Sequence, residues 1–315
     1  MHDVVLLTLA EGAGEACCGA ESCDSHARAD ALRAPVRACA DALRAAGARV
    51  ETVTAHSDKE VDALLARFDG PARDDGLTWP DGDSKARLVV AAATDGQLRH
   101  VVRRLVRRYA PPPSRRPADL ASNRTVPDLP PLGVLPMGPP SHDLARQLDL
   151  PRDPAAVAAA VLDSAVRRVD LLRNDGGSVT LDGALIGGGD AGGQVLPWRG
   201  RVEVDDAVLS TGDEPLIACA VGNGSAYASV DGLPLLTSAD PTSGEIEVAV
   251  AVPVVERSLF KRSRVRVEVR RARGRAVAVT PRDDEVPFVD DGVLGSLTRK
   301  RSWWIEPGAW AVYVR

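Results

Sequence analysis

Apolar positions change their rhythm part-way along the chain. In the first half, continuous apolar runs alternate with stretches whose apolar residues recur every three or four positions. Val4–Leu9, Arg87–Ala92 and Leu132–Leu135 are of the first kind and predict buried strands, and Arg49–Thr54, rich in Val and Thr, predicts a further strand. Arg28–Ala46, Asp58–Arg67, Gln97–Tyr109 and Pro154–Val166 are of the second kind and predict helices. Gly47 ends the first of these, a short helix opens near His142 and Asp143, and Asp153-Pro154 is an N-cap and first-turn pair. A β-α-β-α order of this sort predicts a parallel sheet with helices on its faces. Further on, short alternating segments take over: Val179–Leu181, Gly200–Val204, Leu216–Val221, Glu245–Val252, Arg264–Val269, Ala276–Thr280 and Trp310–Val314. Gly, Asp and Pro turns separate them, which predicts an antiparallel β-sandwich.

These patterns divide the chain into an α/β domain over residues 1–168 and a β-sandwich domain over residues 169–307. Ala110–Pro131 carries a high density of proline and no periodicity, and reads as a surface excursion. The length of 315 residues suits two domains, and 44% hydrophobic with 26% charged residues is ordinary for a soluble globular protein. A net charge of −5 argues against whole-molecule attraction to nucleic acid or to an anionic membrane. No apolar run approaches the length of a membrane span. The opening MHDVVLLTLAEGAG lacks the basic and long apolar regions of a secretory leader, and the five cysteines have no framework spacing. A cytoplasmic setting is therefore expected.

Candidate chemistry is sparse outside a few loops. Cys17, Cys18, Cys23, Asp24 and His26 lack the paired spacing of a zinc site, so a cysteine-bearing loop is the better reading. The helix over 97–109 bears Arg99, His100, Arg103, Arg104, Arg107 and Arg108. That face reads as solvated, with a phosphate-bearing ligand or an anionic lipid surface as the alternative. The run Ile186–Gln194 is rich in glycine but has no following Lys-Ser/Thr, so it reads as a turn between strands.

Several segments, in order, resemble the diacylglycerol kinase, sphingosine kinase and ceramide kinase family of lipid kinases. They are LRAAGARVETVTAHS (43–57), VVAAATDGQLRHVV (89–102), LGVLPMGPPSHDLARQLDLPRDPAAVAAA (132–160), ACAVGNG (218–224), GLPLLTSADPTSGEIEVAV (232–250) and the stretch from VPFVDDGVLG to EPGAWAVYV (286–314). The resemblance implies an α/β domain with the parallel sheet of NAD kinases and diacylglycerol kinases, followed by an antiparallel β-sandwich domain. It also implies that the last strand, about 308–315, returns to the first domain, with a ligand cleft between the domains.

Where the family has Gly-Gly-Asp-Gly-Thr, this chain has Ala93-Thr94-Asp95-Gly96-Gln97; where it has Gly-Thr-Gly-Asn-Asp, this chain has Gly138-Pro139-Pro140-Ser141-His142-Asp143. Two glycines gain side chains and two prolines remove N–H groups that would face phosphate. The family's Asp-Gly-Glu turn is Asp291-Gly292-Val293 here, keeping the candidate base and losing the glutamate. By this resemblance Thr8, Thr54, Thr94, Asp95, Gly96, Gln97, Gly138, Ser141, His142 and Asp143 are the candidate nucleotide or ligand contacts. Asp291 is the candidate catalytic base and Asp95 the candidate magnesium-side residue. The expected function is that of a degenerate, non-catalytic relative, a regulator or sensor that binds a nucleotide or other phosphorylated small molecule. The alternative is an active lipid kinase using ATP and Mg to phosphorylate a diacylglycerol- or sphingoid-like hydroxyl. A homodimer and a peripheral lipid contact are compatible with the resemblance, and a nucleic-acid partner is not expected.

Overall fold

The structure, a computed structural model, describes residues 2–10, 25–138, 144–188, 196–224, 227–230, 232–256 and 264–315. The chain divides into two compact units, one of Met1–Val169 with Gly308–Arg315, the other of Asp170–Pro307.

In the first unit, β1 (Asp3–Leu9), α1 (Ser25–Ala45), β2 (Arg49–Ala55), α2 (Asp58–Leu65), β3 (Ala86–Ala92), α3 (Asp95–Tyr109) and β4 (Leu132–Pro136) follow one another. Short α4 (Leu144–Gln147) and then α5 (Pro154–Asp163) complete the helices. The strands lie in the order β2-β1-β3-β4, and all three neighbouring pairs are parallel. Alternation along each strand sends side chains to two faces. Val4, Leu6, Val89, Ala91 and Leu135 pack with Cys39, Leu43, Val157 and Val161 of α1 and α5. Val5, Leu7, Leu88, Val90 and Val134 alternate with them and are also buried, so both faces of the sheet are covered. Gly133 permits the close approach of α5: a Cβ there would stand 2.6 Å from Val161 Cγ2.

The helix expected to run to Val166 stops at Asp163, because Ser164 takes a left-handed conformation (φ 63°). The chain then enters β5 (Val166–Asn174), a strand the pattern did not predict. The basic face of α3 is not simply solvated. Arg104, 11% exposed, pairs with Asp58 and Asp62 of α2, His100 lies 3.3 Å from Asp58, and Arg108 pairs with Asp69. Two of the five arginines, Arg104 and Arg108, thus dock α2 and the loop after it, while Arg103 and Arg107 stay exposed.

The proline-rich excursion is likewise a packed wall. Val126 and Leu129 are fully buried, and Arg116 donates to the carbonyls of Ala121 and Arg124. Arg73 of the preceding loop joins Asp119 at 3.1 Å and stacks on Trp79 at 4.1 Å.

Among the described residues the regular elements of the second unit are all strands: β6 (Val179–Thr180), β7 (Gly183–Gly187), β8 (Gly200–Val204), β9 (Ala207–Thr211), β10 (Ala218–Gly222), β11 (Ser229–Val230), β12 (Leu233–Pro234), β13 (Ile246–Glu256), β14 (Arg264–Gly274), β15 (Ala276–Pro281), β16 (Val286–Asp290), β17 (Val293–Leu297) and most of β18 (Arg301–Tyr313), after the end of β5. One antiparallel sheet has the order β14-β13-β10-β7-β16-β17; the other runs β18-β15-β8-β9. Val202, Val204, Val277, Val279, Trp303 and Ile305 of the second meet Ile186, Val221, Val248 and Val250 of the first in one core, as a sandwich requires. Trp303 is therefore core, while the Trp304 indole donates to Glu306 at 2.9 Å. β18 ends in the first unit, where Val312 pairs parallel with Leu132. Among the described residues no helix is long and apolar enough to cross a membrane.

Candidate functional site

The loop leaving β3 is where a parallel sheet of this kind presents its carboxyl edge to ligands. Thr94 has extended backbone (φ −138°, ψ 157°) and caps α3: its Oγ1 accepts the Gln97 N–H at 3.3 Å. Gln97 reaches back, and its Oε1 accepts the Ala93 N–H at 2.8 Å. The two side chains form a cap close to the Thr-x-x-Gln kind, with Gln97 taking the N–H of Ala93 in place of that of Thr94. The loop's own groups thus accept both N–H groups, that of Gln97 donating also to the Thr94 carbonyl at 3.1 Å. Asp95 stands in the first turn of α3, where the helix dipole favours a negative charge. Its Oδ2 accepts the Leu144 N–H at 3.1 Å, which ties this loop to the start of α4.

Gly138 belongs to the same cluster. Met137 N–H donates to Ala92 O at 2.8 Å, and a Cβ on Gly138 would stand 2.5 Å from the Ala93 carbonyl oxygen. Only glycine permits that approach. Arg152 Nη2 donates to the Gly138 carbonyl at 3.0 Å, a contact that the sequence reading did not single out. Ser141, His142 and Asp143 lie outside the described residues. Thr8 and Thr54 face each other at the carboxyl ends of β1 and β2, with hydroxyls 3.3 Å apart, and Thr8 also donates to Val53 O. So Thr94, Asp95, Gly96, Gln97 and Gly138 come together, with Thr8 on the strand next to β3 and Thr54 one strand further, at the same sheet edge.

Asp291 is in the second unit. It and Gly292 form the two-residue turn between β16 and β17, with φ of 49° and 81° and with Asp290 paired to Val293. Positive φ at both central positions is the requirement of a type I′ hairpin, which Asp-Gly satisfies best. The Asp291 carboxylate is 3% exposed. It accepts backbone N–H groups from Leu181 (2.7 Å), Asp182 (2.9 Å) and Gly183 (3.1 Å), and so holds the entry to β7. Asp290 accepts the Thr180 hydroxyl at 2.7 Å, and Asn223 donates to the carbonyls of Asp170 and Leu181. The Tyr227 ring packs on Gly183, whose missing Cβ would stand 2.7 Å from it. Burial, and then the neighbouring Asp291, Asp290 and Asp182, push the Tyr227 phenol well above its ordinary pKa.

Residues 25–174 match the family of the diacylglycerol kinase catalytic domain. Over that stretch the chain is diacylglycerol kinase-like. Two solved structures of a diacylglycerol kinase and a putative diacylglycerol kinase from Bacillus anthracis str. Sterne share its fold. The first aligns with a TM-score of 0.58 over 99% of this chain and 96% of its own, at 15% identity. The second aligns with a TM-score of 0.59 over 99% and 97%, also at 15% identity. At that identity the likeness is one of fold. No curated protein matches the chain. Among the described residues no three carboxylate, imidazole or thiol groups gather as a metal site would need, and Asp143 lies outside those residues. No chemical step is therefore assigned to a metal.

Proposed function

We propose that this diacylglycerol kinase-like protein does not transfer phosphate, and instead binds a nucleotide or other phosphorylated small ligand at the carboxyl edge of the first unit's sheet, as a regulator or sensor. The observation that supports this most is the reciprocal cap between Thr94 and Gln97. A phosphate oxygen gains a charge-assisted bond from an N–H only by breaking the bond that N–H already makes. The Gln97 N–H is shared with the Thr94 carbonyl at 3.1 Å, so the side-chain bond at stake is that of the Ala93 N–H; at about 1 kcal/mol the loop forgoes roughly fivefold in affinity. Phosphoryl transfer depends on positioning and charge stabilisation, so the same loss falls on the transition state. The ligand contacts in this reading are the Thr8 and Thr54 hydroxyls, Gly96 and Gly138, and, on the resemblance alone, Ser141, His142 and Asp143. Thr94, Asp95 and Gln97 act on the loops instead.

Asp291 supports the same reading from the second unit. A general base must present a lone pair to the proton it removes. Three of the roughly four acceptor sites of this carboxylate are taken by backbone N–H groups. One observation favours the second reading, an ATP- and Mg-dependent kinase acting on a diacylglycerol- or sphingoid-like hydroxyl. Asp95-Gly96 still opens α3, and the Asp291-Gly292 turn is intact. Transfer of labelled γ-phosphate from Mg-ATP to diacylglycerol and to sphingosine in mixed micelles separates the two. The first reading expects no labelled lipid above a protein-free control. Labelled lipid that vanishes in a folded Asp291→Asn variant would replace it with the second.

A further inference from the structure

The first unit has a second concave site, at the opposite edge of its sheet. A cavity of about 590 Å³ is lined by Ala86 and Arg87 at the start of β3, by Pro130 and Pro131 just before β4, and by Tyr313 at the end of β18. β3 has seven residues between this edge and the loop at 93–97, so the two sites are about 20 Å apart. The walls come from the two segments between regular elements, 68–84 and 119–131, held together by the Arg73–Asp119 pair.

The charges in this cavity do not balance locally. Arg87 is 7% exposed and is held by the Val161 carbonyl, the Ser164 hydroxyl (2.6 Å) and a ring nitrogen of His2 (3.4 Å). All three are neutral acceptors, since burial and the adjacent Arg87 charge lower the pKa of His2. The Tyr313 ring lies 5.6 Å from the guanidinium carbon, and among the described residues no carboxylate pairs with it. Arg124 and Arg168 share a single carboxylate, Asp128. Of the other acidic groups in the wall, Asp119 pairs with Arg73, and Asp81 accepts the Asp83 N–H, a neutral donor that leaves its charge in place. Arg87 is therefore the buried guanidinium that no carboxylate of the described residues pairs with, and a buried cation without a counter-ion is costly.

We propose that this cavity binds a small organic anion, a carboxylate or phosphate monoester on an apolar, aromatic body. The anionic group would complete the charge of Arg87, Arg124 and Arg168. The body would lie against Trp79, Tyr313 and the prolines, which offer flat apolar surface and, at Trp79, a ring already stacked by Arg73. The volume falls within the range of small-molecule sites. The proposal is independent of the function proposed for the carboxyl edge.

The test is a calorimetric titration of the full chain with 1-naphthyl phosphate, 1-naphthoate and neutral 1-naphthol, repeated with saturating Mg-ATP present. One anion site per chain is expected, unaffected by Mg-ATP, with 1-naphthol at least about tenfold weaker. The preferred anion tells phosphate from carboxylate. Arg87 is buried, so its variants risk misfolding. Arg168→Gln, at a side chain 40% exposed, keeps the fold testable and is expected to weaken the anion at least about tenfold. Failure of both anions to bind, equal binding of naphthol, unchanged binding in Arg168→Gln, or displacement by Mg-ATP would each overturn the proposal.

Discussion

Replacing Asp291 by Asn changes one oxygen to an amide of the same shape, and the structure assigns that change a cost in stability. The carboxylate accepts three N–H groups from residues 181–183 at 2.7 to 3.1 Å, in a region where the side chain is 3% exposed. Hydrogen bonds to a charged group are worth about 1.5–3 kcal/mol each, and a stranded buried donor costs about 1–3 kcal/mol. Asn keeps one acceptor oxygen and turns an NH₂ toward the remaining N–H group or groups. Relief of the buried charge offsets part of that loss. The net expectation is a destabilisation of about 2–3 kcal/mol for Asp291→Asn. Asn also tolerates the left-handed φ of 49°, so no backbone term is added. Asp291→Ala strands all three donors and strains the turn as well, and is expected to lose about 4–5 kcal/mol. Urea unfolding at pH 7 followed by far-UV circular dichroism reads both, with the slope checked for constancy. An Asn variant within about 0.5 kcal/mol of the parent would refute the claim that this carboxylate holds the turn.

Two further outcomes follow from the burial pattern. Burial alone raises the thiol of Cys39 to about 11 and that of Cys219 to about 12. Iodoacetamide at pH 8 is expected to spare both in the native protein and to label both in urea, as peptide mapping would show; native labelling of either would contradict their placement in the core. Because the folded thiols ionise later than unfolded ones, their contribution to stability is present below an unfolded thiol pKa near 8.5. It is lost as pH rises toward 11 to 12, so stability falls across that window. Arg104→Met removes the cation that joins α3 to Asp58 and Asp62 of α2. It is expected to lower unfolding free energy by about 1–2 kcal/mol, with the gap narrowing in 1 M salt; an unchanged melting temperature would mark the cluster as solvated charge.

Much of the first unit was legible because its strands are buried on both faces and read as unbroken apolar runs, such as VVLL at 4–7 and LVVAA at 88–92. The end of α5 was not, since apolar residues continue through Ala165 and Val166 and only the left-handed Ser164 marks the break. In the second unit, β7, β16 and β17 are short and carry glycine or proline, which weakens any period-2 signal. Only the tail of β18 was visible. Glu306-Pro307-Gly308 reads as a turn, yet it lies inside β18, between the residues that pair with β15 at 301–304 and Val312, which pairs with β4.

The candidate loops were found by resemblance, while their internal bonding had a readable signal of its own. Thr94-x-x-Gln97 ahead of an apolar helix is a capping pattern, and Asp291-Gly292 between two strand-like runs is a hairpin turn. Each offers a structural role for residues that the resemblance alone places in catalysis. The engagement of α3's arginines by Asp58, Asp62 and Asp69 had no comparable signal, because it depends on how two separate segments come together.

The self-bonded loop is most directly tested by calorimetric titration of Mg-ATP into the parent chain and into Ala93→Gly/Thr94→Gly/Gln97→Thr. That triple variant removes both side-chain acceptors and frees the N–H of residue 93, while the N–H of residue 97 keeps its bond to the carbonyl of residue 94. Tightening by roughly fivefold is the predicted result, matching the one bond released at about 1 kcal/mol. Equal affinity in the two proteins, with the variant's fold intact, would contradict the claim that Thr94 and Gln97 close this loop to phosphate.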